Sequence, residues 1–141
     1  MSSSINFFNE DVDFALLNEA EIKKWIKLSI KKEACTPGDL NFIFCSDPYL
    51  LKINQDYLNH NFFTDIITFD YKEDSTISGD IFISIDRVRD NAEKLSIPFL
   101  DELHRVIIHG VLHIIAYGDK TPEEELLMRS KEDFYLSLRS I

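Results

Sequence analysis

The chain has 141 residues and a formal net charge of −10 at pH 7. That length suits one domain with a real core, here taken as residues 1–141, and the charge excludes a broad non-specific nucleic-acid footprint while allowing a local basic patch. Hydrophobic residues at 45% are ordinary for a globular chain, Cys35 and Cys45 form no disulfide framework, and residues 1–10 carry no basic-then-apolar leader, so a soluble cytoplasmic protein without a membrane partner is expected.

In chain order, residues 5–8 read as a short edge strand. Asn18, with Glu21 three positions on, reads as a helix cap. Ile22, Trp25, Ile26 and Ile30 then recur at helical spacing. Lys23, Lys27 and Lys31 recur every four residues on that helix and form one basic stripe, either a solvated face or a contact for RNA. Pro37-Gly38 is expected to stop the segment. A strand follows over 40–45. Ser46 or Asp47 caps a short helix at Pro48, with Leu50, Leu51 and Tyr57 as its apolar positions. Residues 58–63 form a loop. Residues 66–71 and 79–85 are β-branched and aromatic, and they pair as a hairpin across a polar turn at 72–76.

A helix is expected over 86–95, with Val88, Ala92 and Leu95 facing inward, and Pro98 breaks it. Residues 100–116 are helical and then apolar all round, which marks a buried helix, and Gly110 within it admits a close neighbour. Thr121, Pro122 and Glu124 form a capping box for a last helix with Leu127, Phe134 and Leu138 as its inward stripe. The sum is an α+β fold with a small mixed sheet packed against helices.

The buried helix carries His109 and His113, four residues apart, a turn of about 400° that puts both imidazoles on one face. Asp119 comes ten positions after His109, just beyond Gly118, which is free to adopt helix-ending angles. Two imidazoles and a carboxylate leave a fourth tetrahedral position for water, as in catalytic zinc sites. One Zn2+ suits His-His-Asp best; nickel, iron and manganese are alternatives.

His109-Gly110-Val111-Leu112-His113 followed by Tyr117 resembles the YbeY family of bacterial rRNA maturation factors. Thr64-Asp65-Ile66-Ile67-Thr68-Phe69 is similar to the family's Thr-Asp-x-x-Ser/Thr-Phe motif, Gly79-Asp80-Ile81 resembles its Gly-Asp-Ile strand, and Glu102 matches a recurrent acid seven residues before the first histidine. The resemblance implies a metal-hydrolase fold with a metzincin-like layout. It implies a metal-dependent, single-strand-specific endoribonuclease of small-subunit rRNA 3′-end maturation and ribosome quality control. Its partners would be rRNA and the small ribosomal subunit, not DNA. Asp119 stands where the family has a third histidine, Ala116 where it has glycine, and Leu58 where it tends to have arginine.

The base for RNA cleavage would then be Glu102, Asp65 or a metal-bound hydroxide, among which the sequence does not choose. Two other functions compete. A zinc peptidase would carry a glutamate after its first histidine, where this chain has Gly110. A non-catalytic ribosome-associated factor would use its metal only to brace the fold.

Overall fold

A computed structural model describes residues 3–140. Its elements are β1 (Ile5–Asn9), α1 (Glu19–Lys32), β2 (Thr36–Cys45), α2 (Asp47–Leu58), β3 (Ile66–Asp70), β4 (Thr76–Ser84), α3 (Ile85–Leu95), α4 (Phe99–Ile115) and α5 (Pro122–Ser137). The four strands form one mixed sheet in the order β1-β2-β4-β3. β1 and β4 run parallel to β2, and β3 returns antiparallel to β4 as the expected hairpin. The architecture is α+β.

Strand alternation sorts the sheet into two faces. Leu40, Phe42, Phe44, Ile81 and Ile83 join the main core beneath α1 and α4. Cys45, Ile67, Phe69 and Phe82 form a smaller cluster with Leu50 and Ile53 of α2 on the opposite face. Each large side chain so buried contributes about 1.5–3 kcal/mol. α4 is the central element: it touches α1, α3, α5, β3 and β4, and its buried residues include Leu103, Val106, Ile107, Ile108, Val111, Leu112 and Ile114. A Cβ at Gly110 would lie 2.9 Å from Ile66 Cδ1 and 3.1 Å from Ile81 Cγ2. Glycine therefore lets this helix press against the β3–β4 hairpin.

Several local expectations are corrected. Asn18 does precede α1, but it sits in the left-handed region (φ 60°) and its side chain makes no cap bond. Pro37 and Gly38 do not end the helix. α1 stops at Lys32, Ala34 turns the chain at φ 60°, and both residues lie in β2, where the register against β4 shifts before Leu40. Tyr57 and Leu95 are exposed rather than inward. The inward face of α5 is Met128, Glu132 and Tyr135, while Leu127 and Phe134 stand half exposed. Sequence periodicity favours the leucines; the structure buries a glutamate instead, because that glutamate has partners on α4.

Ser46, Ser84 and Thr121 cap α2, α3 and α5 through their hydroxyls. The capping box of Thr121 and Glu124 is present. Among the described residues no helix is long and apolar enough to cross a membrane.

Candidate metal centre

The last turns of α4 carry His109 and His113 on one face, their ring centroids 5.2 Å apart. The chain then leaves the helix at Ala116, whose φ of 124° is a conformation that side chains disfavour. No glycine has a positive φ among the described residues, so the bend expected at Gly118 falls two residues earlier. Gly118 instead leaves space for the Glu124 carboxylate: a Cβ there would lie 2.5 Å from Glu124 Oε2 and make that side chain shift. The bend returns Asp119 to the histidines, with its Oδ2 3.4 Å from His109 Nε2 and 3.3 Å from His113 Nε2.

These separations fit one ion. Donors bound at about 2.0–2.1 Å in a tetrahedron stand roughly 3.3–3.4 Å apart. His109 Nδ1 lies 2.7 Å from Glu132 Oε2, so the imidazole donates from Nδ1 and turns the Nε2 lone pair towards Asp119 and His113. A carboxylate behind a ligating histidine fixes its tautomer and ring plane and raises its basicity. Glu132 is only 4% exposed. Burial raises its carboxyl, but hydrogen bonds from His109 and Arg105 outweigh that and hold it below the usual range. Burial in turn lowers His109, and the bond to Glu132 outweighs it, leaving the imidazole more basic than usual. The three donors suit zinc, and Glu132, which holds His109 from behind, is the residue that sequence reasoning missed. Its signal was its place between Met128 and Tyr135 at core spacing on α5.

The three donors stand in a cavity of about 1100 Å3 between α4, α5 and the segment joining α2 to β3. Asp65 and Glu102 both line it. Burial pushes the carboxyls of both above the ordinary range. Asn91 Nδ2 approaches Asp65 Oδ2 at 3.4 Å, while Glu102 Oε1 is buried without a partner. Arg105 pairs with Glu132 and Asp133, each at 2.8 Å, and not with Glu102. Asp80 lies on the sheet, where it accepts from Asn41 at 3.0 Å, and Asn41 accepts from Asn6 at 3.2 Å. That row ties β1, β2 and β4 together. Lys23, Lys27 and Lys31 lie on α1, which contributes no residue to the cavity wall. The cavity's own cations are Arg105 and Arg129. Arg129 makes no ion pair among the described residues.

A family model described as Endoribonuclease YbeY matches residues 5–139. Over 137 residues the chain is 53% identical to the Endoribonuclease YbeY of Cytophaga hutchinsonii, covering 96% of both chains. Over 131 residues it is 52% identical to that of Flavobacterium psychrophilum, covering 93% of this chain and 94% of the other. The solution structure of TM1509 from Thermotoga maritima superposes with a TM-score of 0.67 at 25% identity, covering 95% of this chain and 87% of that one. Fold, histidine motif and relatives agree: the chain belongs to the YbeY endoribonuclease family.

Proposed function

We propose that this protein is a zinc-dependent endoribonuclease that cuts single-stranded RNA, acting in the cytoplasm on the small-subunit rRNA 3′ end within ribosomal particles. The observation that carries the reading is the convergence of His109, His113 and Asp119 on one point, backed by Glu132, on the wall of an open cavity. A zinc ion held by these donors supplies Lewis acidity towards a phosphodiester and towards water.

The chain's own residues would do the rest. Glu132 keeps the Nδ1 proton on His109 and so keeps Nε2 aimed into the site. Asp65 and Glu102, whose carboxyls hold protons more tightly than usual, are placed to take a proton from the attacking water or give one to the leaving oxygen. Arg129, free of ion pairs among the described residues, is the cavity cation available to a phosphate, a role that Leu58 cannot fill. The Lys23, Lys27 and Lys31 stripe lies off the cavity and would touch RNA only beyond the scissile bond.

A peptidase reading lacks support. Gly110 follows His109, and its place against Ile66 and Ile81 has no room for a catalytic glutamate. The test is elemental analysis of untagged protein together with cleavage of matched single-stranded and duplex RNA. His113→Ala should lose both stoichiometric metal and cleavage. Full cleavage by that variant, or equal cutting of duplex, overturns the reading. Metal retained by the wild type without cleavage of any RNA would favour a non-catalytic, ribosome-associated factor.

A further inference from the structure

We propose that the loop between α2 and β3 is a stacking platform for an unpaired nucleobase, with Phe62 as its principal surface. The idea rests on the RNA-cleaving reading of the metal cavity and deepens it, since it says what holds the strand there.

His60 and Phe62 both line the cavity. Their rings lie stacked on each other, with centroids 5.1 Å apart and planes inclined by 21°. Phe62 is nevertheless 56% exposed. The ring is not a lone exposed apolar residue: Leu58, which also lines the cavity, and the adjacent Phe63 are exposed as well, and a grouped apolar surface marks a binding site more often than a single residue does. The loop is also held in place. Asn54, 1% exposed on α2, donates from Nδ2 to the Phe62 carbonyl at 2.9 Å. Its backbone carbonyl accepts from the His60 amide at 3.0 Å. One buried residue therefore fixes the backbone on both sides of Asn61, and the rings are presented by a braced segment.

Charge says which occupant fits. The cavity wall carries Asp65, Glu102, Asp119, Glu125 and Glu132 against Arg105 and Arg129. Arg105 is already engaged by two carboxylates. Phosphate contacts alone would hold a strand poorly in such a site, so a large share of the binding has to come from the bases. Single-stranded RNA is commonly held by bases stacked on Phe, Tyr, Trp or His, and every base has a face to offer. Because stacking needs no Watson–Crick edge, it would take a splayed base of any kind and refuse one locked in a duplex. That is a source of strand selectivity independent of the metal.

The experiment measures binding of short single-stranded RNA, without metal, to the wild type and to Phe62→Ala, Phe62→Leu and Phe62→Trp, at several salt concentrations. A strand of equal length with abasic positions is the comparison. Phe62 is half exposed, so thermal midpoints should stay level across the set. Phe62→Ala should weaken binding about tenfold, in the range stacking supplies. Phe62→Leu should be as weak, Phe62→Trp should match or exceed the wild type, and the salt slope should be the same for all. If the abasic strand binds as well as the intact one, or Phe62→Leu binds like the wild type, the platform is refuted, and the latter result would point to an apolar protein segment as occupant. Cleavage is read separately with metal restored. Normal cleavage with an unchanged KM in Phe62→Ala removes the platform and leaves the nuclease standing. Phe62-dependent binding with no cleavage by the wild type does the reverse.

Discussion

His109 Nδ1 and Glu132 Oε2 stand 2.7 Å apart, joining the histidine-bearing helix α4 to the one charged side chain that α5 buries against it. Glu132 also takes Arg105 at 2.8 Å, so its two oxygens divide between orienting the His109 imidazole and neutralising a cation. Glu132→Gln keeps the shape but offers only one acceptor oxygen. It should weaken zinc binding about 10- to 100-fold, the usual cost of losing a partner behind a ligating histidine. Competition with a chromophoric chelator measures this. An unchanged zinc affinity would reduce Glu132 to a partner of Arg105.

Ala116 ends α4 at φ 124°, three residues after His113 and three before Asp119. A side chain in that region costs about 1–3 kcal/mol, whereas glycine enters freely and loses about 0.5–1 kcal/mol more entropy on folding. Relief of strain is the larger effect. Ala116→Gly should therefore stabilise the protein by about 1 kcal/mol, seen as a higher urea midpoint with an unchanged slope. A lower midpoint would show that the surrounding contacts, not the backbone angle, decide this bend.

The order of elements, the hairpin and the paired histidines are legible in the sequence because each rests on local pattern: alternation in 79–85, a four-residue repeat at His109 and His113, and the Thr121 capping box. What is not legible depends on a partner distant in sequence. Glu132 reads as a solvated acid until α5 is laid on α4, where His109 and Arg105 give it reason to be buried. The inward stripe expected at Leu127 and Phe134 fails for the same reason. Pro37 and Gly38 punctuate most chains, yet here Gly38 lies where a Cβ would run into Ser78 Oγ, a close strand approach that only pairing reveals. Composition assigns the bend at Ala116 to Gly118, because it names the residue that turns easily, not the one that must. The lysine stripe is legible as a stripe, but its distance from the cavity is not.

Glu33, at the end of α1, accepts hydrogen bonds from Tyr117 at 2.5 Å, from Lys131 at 3.1 Å and from Tyr135. Tyr117 sits two residues before Asp119, and Lys131 lies 5.4 Å from the centre of its ring. The carboxylate therefore anchors the loop that returns Asp119 to the two histidines. Glu33→Ala leaves the Tyr135 hydroxyl, in a residue 1% exposed, without its acceptor. It should cost about 1–3 kcal/mol of stability. Tyr117→Phe removes only the loop's tether, so it should keep most stability and lose zinc affinity several-fold. Chemical denaturation and zinc titration on both variants separate the two effects. Full zinc affinity in Tyr117→Phe would show that the bend holds Asp119 unaided.

His104 lies on α4 away from the metal, 2% exposed, with its ring 5.9 Å from that of Trp25. Its Nδ1 accepts from Arg139 at 2.7 Å, and its Nε2 has no partner. Burial, then the neighbouring guanidinium of Arg139, push its pKa down from 6.5 to about 4, against a smaller opposing pull from Asp101. A protonated ring here would be a desolvated cation facing another cation. The unfolded chain thus binds a proton near pH 6.5 that the folded chain refuses until about pH 4. Stability should be complete above pH 6.5 and fall as pH drops through that window. The loss should reach about 3 kcal/mol, since each tenfold difference in proton affinity between the two states is worth about 1.4 kcal/mol. His104→Gln keeps an acceptor for Arg139 but cannot titrate. Urea midpoints for wild type and variant should converge as pH falls from about 7 to about 4, because only the wild type loses this increment. Parallel curves for the two proteins across that range would mean that His104 takes up its proton in the folded state as readily as in the unfolded one.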